Sequence, residues 1–184
     1  MVSALGFTLF ETVIGSCGIA WGDCGVVGVQ LPEADEGGTR LRMRRRFPDV
    51  AEMQPPVDVQ HAIESIVALL RGEPRDLSEI VLDMDRVQPF HRRVYEVART
   101  IPPGSTLSYG DVAKRLGEPG VARAVGQALG QNPFAPIVPC HRVLAGDGTM
   151  HGFSARGGVA TKLRLLTIEG WRATEPTLFD ISPA

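Results

Sequence analysis

Short apolar runs separated by glycines occupy the first part of the chain, over residues 7–10, 17–21 and 25–31. Runs of this length bounded by turn residues predict strands, so we expect a small antiparallel meander. A polar loop over 32–38 follows. Five arginines then fall within residues 40–46 and partly alternate with leucine and methionine. We interpret this segment as a basic edge strand, with a phosphate contact as the alternative.

Helical spacing replaces this pattern further along the chain. After the pair Pro55-Pro56, a stripe of apolar residues predicts a helix with Asp58 as its N-cap: Val59, Ile63, Ile66 and Leu70. Residues 80–82 are apolar and predict a last strand. A second stripe predicts another helix: Phe90, Val94, Val97 and Ile101.

Two further helices are predicted to form a helix-turn-helix. Ser108 and Asp111 have the spacing of a capping box, which starts a helix. A turn over 117–120 separates it from a second helix over 121–129. Helix, short glycine-containing turn and helix are typical of a helix-turn-helix, although ordinary helical hairpins share the pattern.

The polar side of the second helix carries Arg123, Gly126, Gln127 and Gly130. Two glycines on a helix surface cost ~1 kcal/mol each relative to alanine. A surface that only meets solvent gains nothing from that cost, whereas small residues let a bulky partner come close to the backbone. We therefore expect this side to contact a partner; a solvated face is the alternative.

Charge is distributed unevenly along the 184 residues, although the net charge is only −2. Residues 86–172 contain 12 Lys/Arg and 5 Asp/Glu, and the rest of the chain contains 7 and 16. A polyanion would therefore be attracted to the second half. No apolar run is long enough to span a membrane, and the three cysteines favour a reducing cytoplasm over a disulfide scaffold.

A cysteine beside a histidine, Cys140-His141, ends an apolar run. A thiolate is a strong nucleophile, and a histidine can generate it as a base. Neighbouring side chains rarely face each other, so proton transfer would need an unusual turn or an intervening water, and Glu169 could hold the imidazole. A zinc set of Cys17, Cys24, His61 and His91 matches no compact ligand spacing, so we expect no metal.

From about residue 90 to 171 the chain resembles the O6-alkylguanine-DNA alkyltransferases. The similarity rests on five blocks in the family's order: Ser108-Tyr109; 122–126; Asn132-Pro133; Pro139-Cys140-His141-Arg142; and a closing segment with 157–158, Lys162, 165–166 and 168–170. The strand and helix patterns together with this resemblance imply an α+β protein. The pattern predicts an N-terminal domain over 1–85 with a small antiparallel sheet plus helix, which resembles the family's N-terminal domain only in size and pattern. The resemblance implies a mainly helical domain over 86–173 with a winged helix-turn-helix-like DNA-binding motif, followed by a tail over 174–184.

The resemblance also implies roles for individual residues. Cys140 accepts the alkyl group, His141 and Glu169 activate it, Asn132 braces the active-site turn, and Tyr109 helps to rotate and neutralise the base. The implied DNA contacts are Ser108, Tyr109, Ala122, Gly126, Gln127 and Arg123, the last filling the space that the extruded base leaves. The implied substrate pocket comprises Pro139, Val143, Ser154 and Phe153, where the family often has tyrosine.

The function implied by the resemblance is repair of double-stranded DNA by a suicide methyltransferase. It would transfer the alkyl group of O6-alkylguanine, and also of O4-alkylthymine, irreversibly to Cys140. We expect binding in the minor groove with base flipping, no cofactor, and a cytoplasmic monomer, with cooperativity on DNA left open. The alternatives are a non-catalytic alkylated-DNA-binding protein of the alkyltransferase-like kind, a cysteine hydrolase and a helix-turn-helix regulator. The presence of Cys140 argues against a non-catalytic binder, and the absence of an oxyanion motif argues against a hydrolase. A regulator would read the major groove with polar side chains, which the smooth face around Arg123 hardly offers.

Overall fold

The first three apolar runs form an antiparallel sheet, as predicted. The computed structural model describes residues 4–150 and 152–172, so the tail over 174–184 lies outside the described residues. Strands β1 (Ala4–Thr12), β2 (Gly15–Gly22) and β3 (Gly25–Gln30) pair in chain order. Gly25 has a φ of 124°, and a Cβ there would lie 2.6 Å from the carbonyl oxygen of Val81, so this turn requires glycine.

The arginine-rich segment is a helix, and the edge-strand prediction is wrong. Helix α1 (Glu36–Arg46) begins at Asp35, whose Oδ1 accepts a hydrogen bond from the Gly38 amide at 2.7 Å. Thr39 and Met43 lie one turn apart and are fully buried, and Met43 packs with apolar residues of the sheet. This four-residue spacing outweighs the partial alternation of the arginines, because it buries an apolar side chain against the sheet.

The second predicted helix is present, but its cap differs from the prediction. Helix α2 (Val57–Leu70) has Pro56 at the N-cap, and Asp58 lies in its first turn without a capping bond. An acidic residue there still favours the positive end of the helix. Residues 80–82 form no strand of the sheet; Leu82 makes only an isolated bridge to Val26.

The second half is mainly helical. Its elements are α3 (Pro89–Arg99), β4 (Leu107–Ser108), α4 (Tyr109–Arg115), α5 (Ala122–Gly130), β5 (Val143–Leu144) and α6 (Val159–Ile168). The capping box at the start of α4 is confirmed: the Asp111 amide donates to Ser108 Oγ at 3.0 Å, and the Ser108 amide donates to Asp111 Oδ2 at 3.1 Å. Strands β4 and β5 pair in parallel. The α+β class is therefore confirmed.

One apolar core joins the two halves. Buried residues of the sheet and α2 belong to the same cluster as buried residues of α3, α5 and α6. The Val29 amide of β3 donates to the Pro133 carbonyl at 2.8 Å, so the sheet supports the loop after α5. The division into domains near residue 85 stays a prediction. No helix among residues 4–150 and 152–172 is both long and apolar enough to cross a membrane.

Candidate active site

Cys140 lies at the wall of an open cavity. It starts a single 3-10 turn (Cys140–Arg142), and its amide donates to the Val138 carbonyl at 2.8 Å. Its side chain is only 6% exposed, yet it lines a cavity of about 310 Å³. Asn132, Phe153 and Ser154 line the same cavity. A buried cysteine that lines an open cavity can be reached by a small group that enters from outside.

The surroundings of Cys140 act on its pKa in opposite directions. Burial raises the pKa of the thiol, because a thiolate loses hydration in the protein interior. Four groups act against burial by stabilising the thiolate: the Asn132 side chain, the charge of Lys162, and the backbone amides of Cys140 and His141. Burial is the larger effect, so the thiol needs a base to ionise near neutral pH.

His141 lies beside a buried carboxylate, in the contact that the sequence suggested. His141 Nε2 is 2.9 Å from Glu169 Oε1, and the histidine is fully buried. Arg142 binds the same carboxylate with two donors: Nε donates to Oε2 and Nη2 donates to Oε1, both at 2.8 Å. Burial raises the pKa of Glu169. The hydrogen bonds from His141 and Arg142 together lower the pKa by more than burial raises it, so it falls to about 2.

The carboxylate determines which nitrogen of His141 carries the proton. Because Glu169 is ionised, His141 Nε2 donates to it, and burial lowers the pKa of the imidazole, which is then neutral near pH 7. Nδ1 therefore presents a lone pair. It is buried and has no hydrogen-bond partner within residues 4–150 and 152–172. A neutral imidazole with a free lone pair can accept a proton.

Asn132 ties together the loop that leads to Cys140. Its Nδ2 donates to the Val138 carbonyl at 2.8 Å, and its Oδ1 accepts from the Phe134 amide at 2.9 Å. The same carbonyl accepts the Cys140 amide. Asn132 therefore fixes the backbone immediately before the cysteine as well as lining the cavity.

Lys162 is a site residue to which sequence reasoning assigned no role. It is 1% exposed, its Nζ donates to the Val143 carbonyl at 2.6 Å, and it lies 5.8 Å from the centre of the Tyr109 ring. The available signal was its spacing with Leu165 and Leu166, which places a lysine on the buried side of α6. A buried cation here favours the Cys140 thiolate.

The predicted contact side of α5 is exposed. Arg123, Gln127 and Gly130 are exposed, whereas Ala122 and Gly126 are partly buried. A Cβ on Gly126 would lie 3.8 Å from the Tyr109 ring, an ordinary contact, and among the described residues one on Gly130 would meet nothing within 4 Å. Packing within the described part of the chain therefore requires neither glycine.

The remaining predicted site residues lie away from the cavity lining. Pro139 and Val143 are buried beside Cys140 but do not line the cavity, and neither do Tyr109 and Ser108 at the start of α4. Burial raises the pKa of Tyr109, so its hydroxyl stays protonated near neutral pH. No group of three or more potential metal ligands comes together in the described part of the chain.

Known proteins are similar to this chain in both sequence and fold. The family model of the DNA-binding domain of 6-O-methylguanine DNA methyltransferase matches residues 89–171. The methylated-DNA–protein-cysteine methyltransferase of Methanothermobacter thermautotrophicus is 37% identical over 153 residues, which cover 83% of this chain and 78% of that protein.

Two crystal structures of the O6-methylguanine methyltransferase (OGT) of Mycobacterium tuberculosis support the same relationship. The first superposes with a TM-score of 0.72 and 32% identity, over 95% of this chain and 99% of that one. The second, a complex with DNA, superposes with a TM-score of 0.72 and 31% identity, over 90% and 92% of the two chains. The fold, the similarity along most of the chain and the sequence around Cys140 agree, and the chain belongs to the methylated-DNA–protein-cysteine methyltransferase family.

Proposed function

We propose that this chain repairs duplex DNA by moving the alkyl group from O6 of guanine to Cys140 Sγ, once per molecule. The observation that carries the proposal is the position of Cys140 on an open cavity beside the buried pair His141–Glu169. Relatives with 37–45% identity are named methylated-DNA–protein-cysteine methyltransferase, and the M. tuberculosis relative has been crystallised with DNA.

The reacting carbon is inside the base stack, so the nucleotide has to leave the duplex first. We propose that α5 lies in the minor groove, where its small residues allow close approach and Arg123 takes the place of the extruded base. Gly130 supports this arrangement, because it belongs to the exposed side of α5 and also lines the Cys140 cavity. Ser108, Tyr109, Ala122 and Gln127 would contact the nearby strand.

The transfer is a direct displacement at the alkyl carbon. His141 Nδ1 takes the thiol proton of Cys140 through an intervening water, and Glu169 stabilises the imidazolium that results. The sulfur lone pair forms the S–C bond while the C–O6 bond breaks, and the electron pair of that bond goes to guanine. Tyr109 donates a hydrogen bond that helps to neutralise the departing base. Thiols do not exchange with the thioether product as they do with a disulfide, so the protein is spent after one reaction.

The cavity wall indicates which alkyl groups fit. Phe153 presents an apolar ring without a hydroxyl, and Ser154 follows it on the same wall. We expect this wall to tolerate alkyl groups larger than methyl, at the loss of one hydrogen bond to the base. We expect O4-alkylthymine, whose base is smaller than guanine, to be a second substrate. The chain would act as a monomer and needs no cofactor for the displacement itself.

Mass spectrometry of the protein after incubation with a duplex containing O6-methylguanine tests the proposal. We expect one methyl group per protein, on the peptide that contains Cys140. Cys24, the exposed thiol, provides the matched control: Cys24→Ser should still accept a methyl group, whereas Cys140→Ser should bind the duplex without transfer. An unmodified Cys140 peptide beside a fully repaired duplex would refute the proposal.

A further inference from the structure

The N-terminal half contains an isolated group of positive charge. Residues 1–85 have 14 Asp/Glu and 7 Lys/Arg, and five of those seven are the arginines of α1. This half as a whole repels a polyanion, yet its positive charge is concentrated in one helix. The position of that helix relative to Cys140 therefore determines what the charge can do.

Three arginines of α1 lie on one side of the helix. Arg42, Arg45 and Arg46 are three and four residues apart, so like charges lie close together and repel. Arg40, in contrast, pairs with Glu36 and Glu52. Arg42, Arg45 and Arg46 make no ion pair within residues 4–150 and 152–172.

Arg46 connects this helix to the active-site loop. Its Nη1 donates to the Val29 carbonyl at 2.8 Å and to Gln30 Oε1 at 3.1 Å, and its Nη2 donates to the Pro133 carbonyl at 3.3 Å. Burial lowers the pKa of Arg46, and the nearby charge of Arg42 lowers it further. Neutral acceptors thus hold a cation in place without cancelling its charge.

Arginines from both halves of the chain meet at the Cys140 cavity. Arg42 and Arg46 of α1 line it, and Arg156, from the loop before α6, lines it as well. An adjoining cleft is lined by Arg42, Arg45 and Arg156. Glu33 is the acidic residue that lines both, and its Oε1 accepts a bond from Gln30 Nε2 at 3.4 Å. Positive charge exceeds negative charge there.

The cavity also reaches the DNA-facing side of the protein. Gly130 and Gln131, at the end of α5, line it together with Cys140. A strand that follows α5 would therefore pass the arginines as it leaves the extruded nucleotide. We infer that Arg42 and Arg156, supported by the field of Arg46, bind a backbone phosphodiester of the DNA next to the flipped base. This inference rests on the proposed function and adds a DNA contact from the N-terminal half.

Arginine substitutions compared between duplex and free base test the inference. Arg42→Ala and Arg156→Ala are measured in the full-length protein, with Arg44→Ala as control because Arg44 is exposed on the same helix and lines neither cleft. Transfer rates are measured with a methylated duplex and with free O6-benzylguanine, which has no phosphate. Duplex affinity is measured across a salt series in the Cys140→Ser background.

We expect the ratio of duplex rate to free-base rate to fall about tenfold in each cleft variant, as a lost charged contact implies. The slope of log affinity against log salt should decrease by about 0.9 per lost contact. Arg44→Ala should match the wild type in both. Glu33→Gln should bind duplex more tightly, because it removes the negative charge of the cleft.

Different failures have different meanings. If Arg42→Ala and Arg156→Ala behave like Arg44→Ala in ratio and salt slope, the inference is overturned while the proposed function stands. If both variants lose the duplex and free-base reactions equally, the arginines shape the pocket and bind no phosphate. If the wild-type protein never alkylates Cys140, the proposed function itself has failed.

Discussion

Replacing Gly126 with alanine should make the protein more stable and less able to repair duplex DNA. Gly126 is in the interior of α5, where alanine is favoured over glycine by about 1 kcal/mol. The added Cβ would lie 3.8 Å from the Tyr109 ring, an ordinary van der Waals contact, so no packing strain offsets the gain. For a chain of this size, 1 kcal/mol corresponds to a rise in Tm of about 2–4 °C.

The same methyl group should weaken binding, because it protrudes from the side of α5 that we place against the DNA. Overpacking of a close contact costs about 1–3 kcal/mol, so duplex affinity should fall at least about fivefold. The assays are thermal unfolding and the ratio of transfer rates on duplex and on free O6-benzylguanine. Gly146→Ala is the control, since Gly146 is exposed and a Cβ there meets no residue of the described part of the chain within 4 Å. A Gly126→Ala protein that is more stable yet repairs duplex at the wild-type rate would refute the close approach of α5.

Three residues of the candidate site and one of the proposed DNA-binding face give further predictions. Arg123→Ala should slow repair of duplex far more than reaction with the free base; equal slowing in paired rate measurements would exclude a role in base flipping. The transfer rate to Cys140 should stay nearly constant from pH 7 to 9 and fall at acidic pH, because the reacting form combines a protonated thiol, whose pKa burial raises, with a neutral His141, whose pKa burial lowers; a rate that rises about tenfold per pH unit above pH 7 would show that the thiol ionises without His141. Glu169 has a pKa of about 2 in the folded protein in place of 4.5. Its ionised carboxylate therefore contributes about 3 kcal/mol to the free energy of unfolding above pH 4.5, and this contribution is lost as the pH falls through about 2. Glu169→Gln should remove that acid-dependent stability in denaturant titrations. Asn132→Ala should lower the free energy of unfolding by about 1–3 kcal/mol, since it leaves the Val138 carbonyl with one fewer donor and a backbone amide without its partner, and should slow transfer to both substrates.

Local patterns were sufficient for much of the fold. The strands of the sheet, the capping box at Ser108 and the exposed side of α5 depend on neighbours within a few residues, and each is found where it was predicted. The error in α1 has a local cause as well. Alternation of arginine with Leu41 and Met43 indicated a strand, whereas the spacing of Thr39 and Met43 and the cap at Asp35 indicate the helix that forms.

The sequence by itself determined which residues are candidates for the chemistry, because Cys140, His141 and Glu169 are identifiable by type and by the motifs around them. Only the tertiary structure decided how they meet. It brought Glu169 into contact with His141, which lies 28 residues earlier in the chain, and it buried Lys162 beside Tyr109. It also brought arginines of α1 to the cavity lined by Cys140, almost a hundred residues further along the chain. Such contacts arise from packing two halves around one core, and no spacing along the chain encodes them, since burial and charge interact through space.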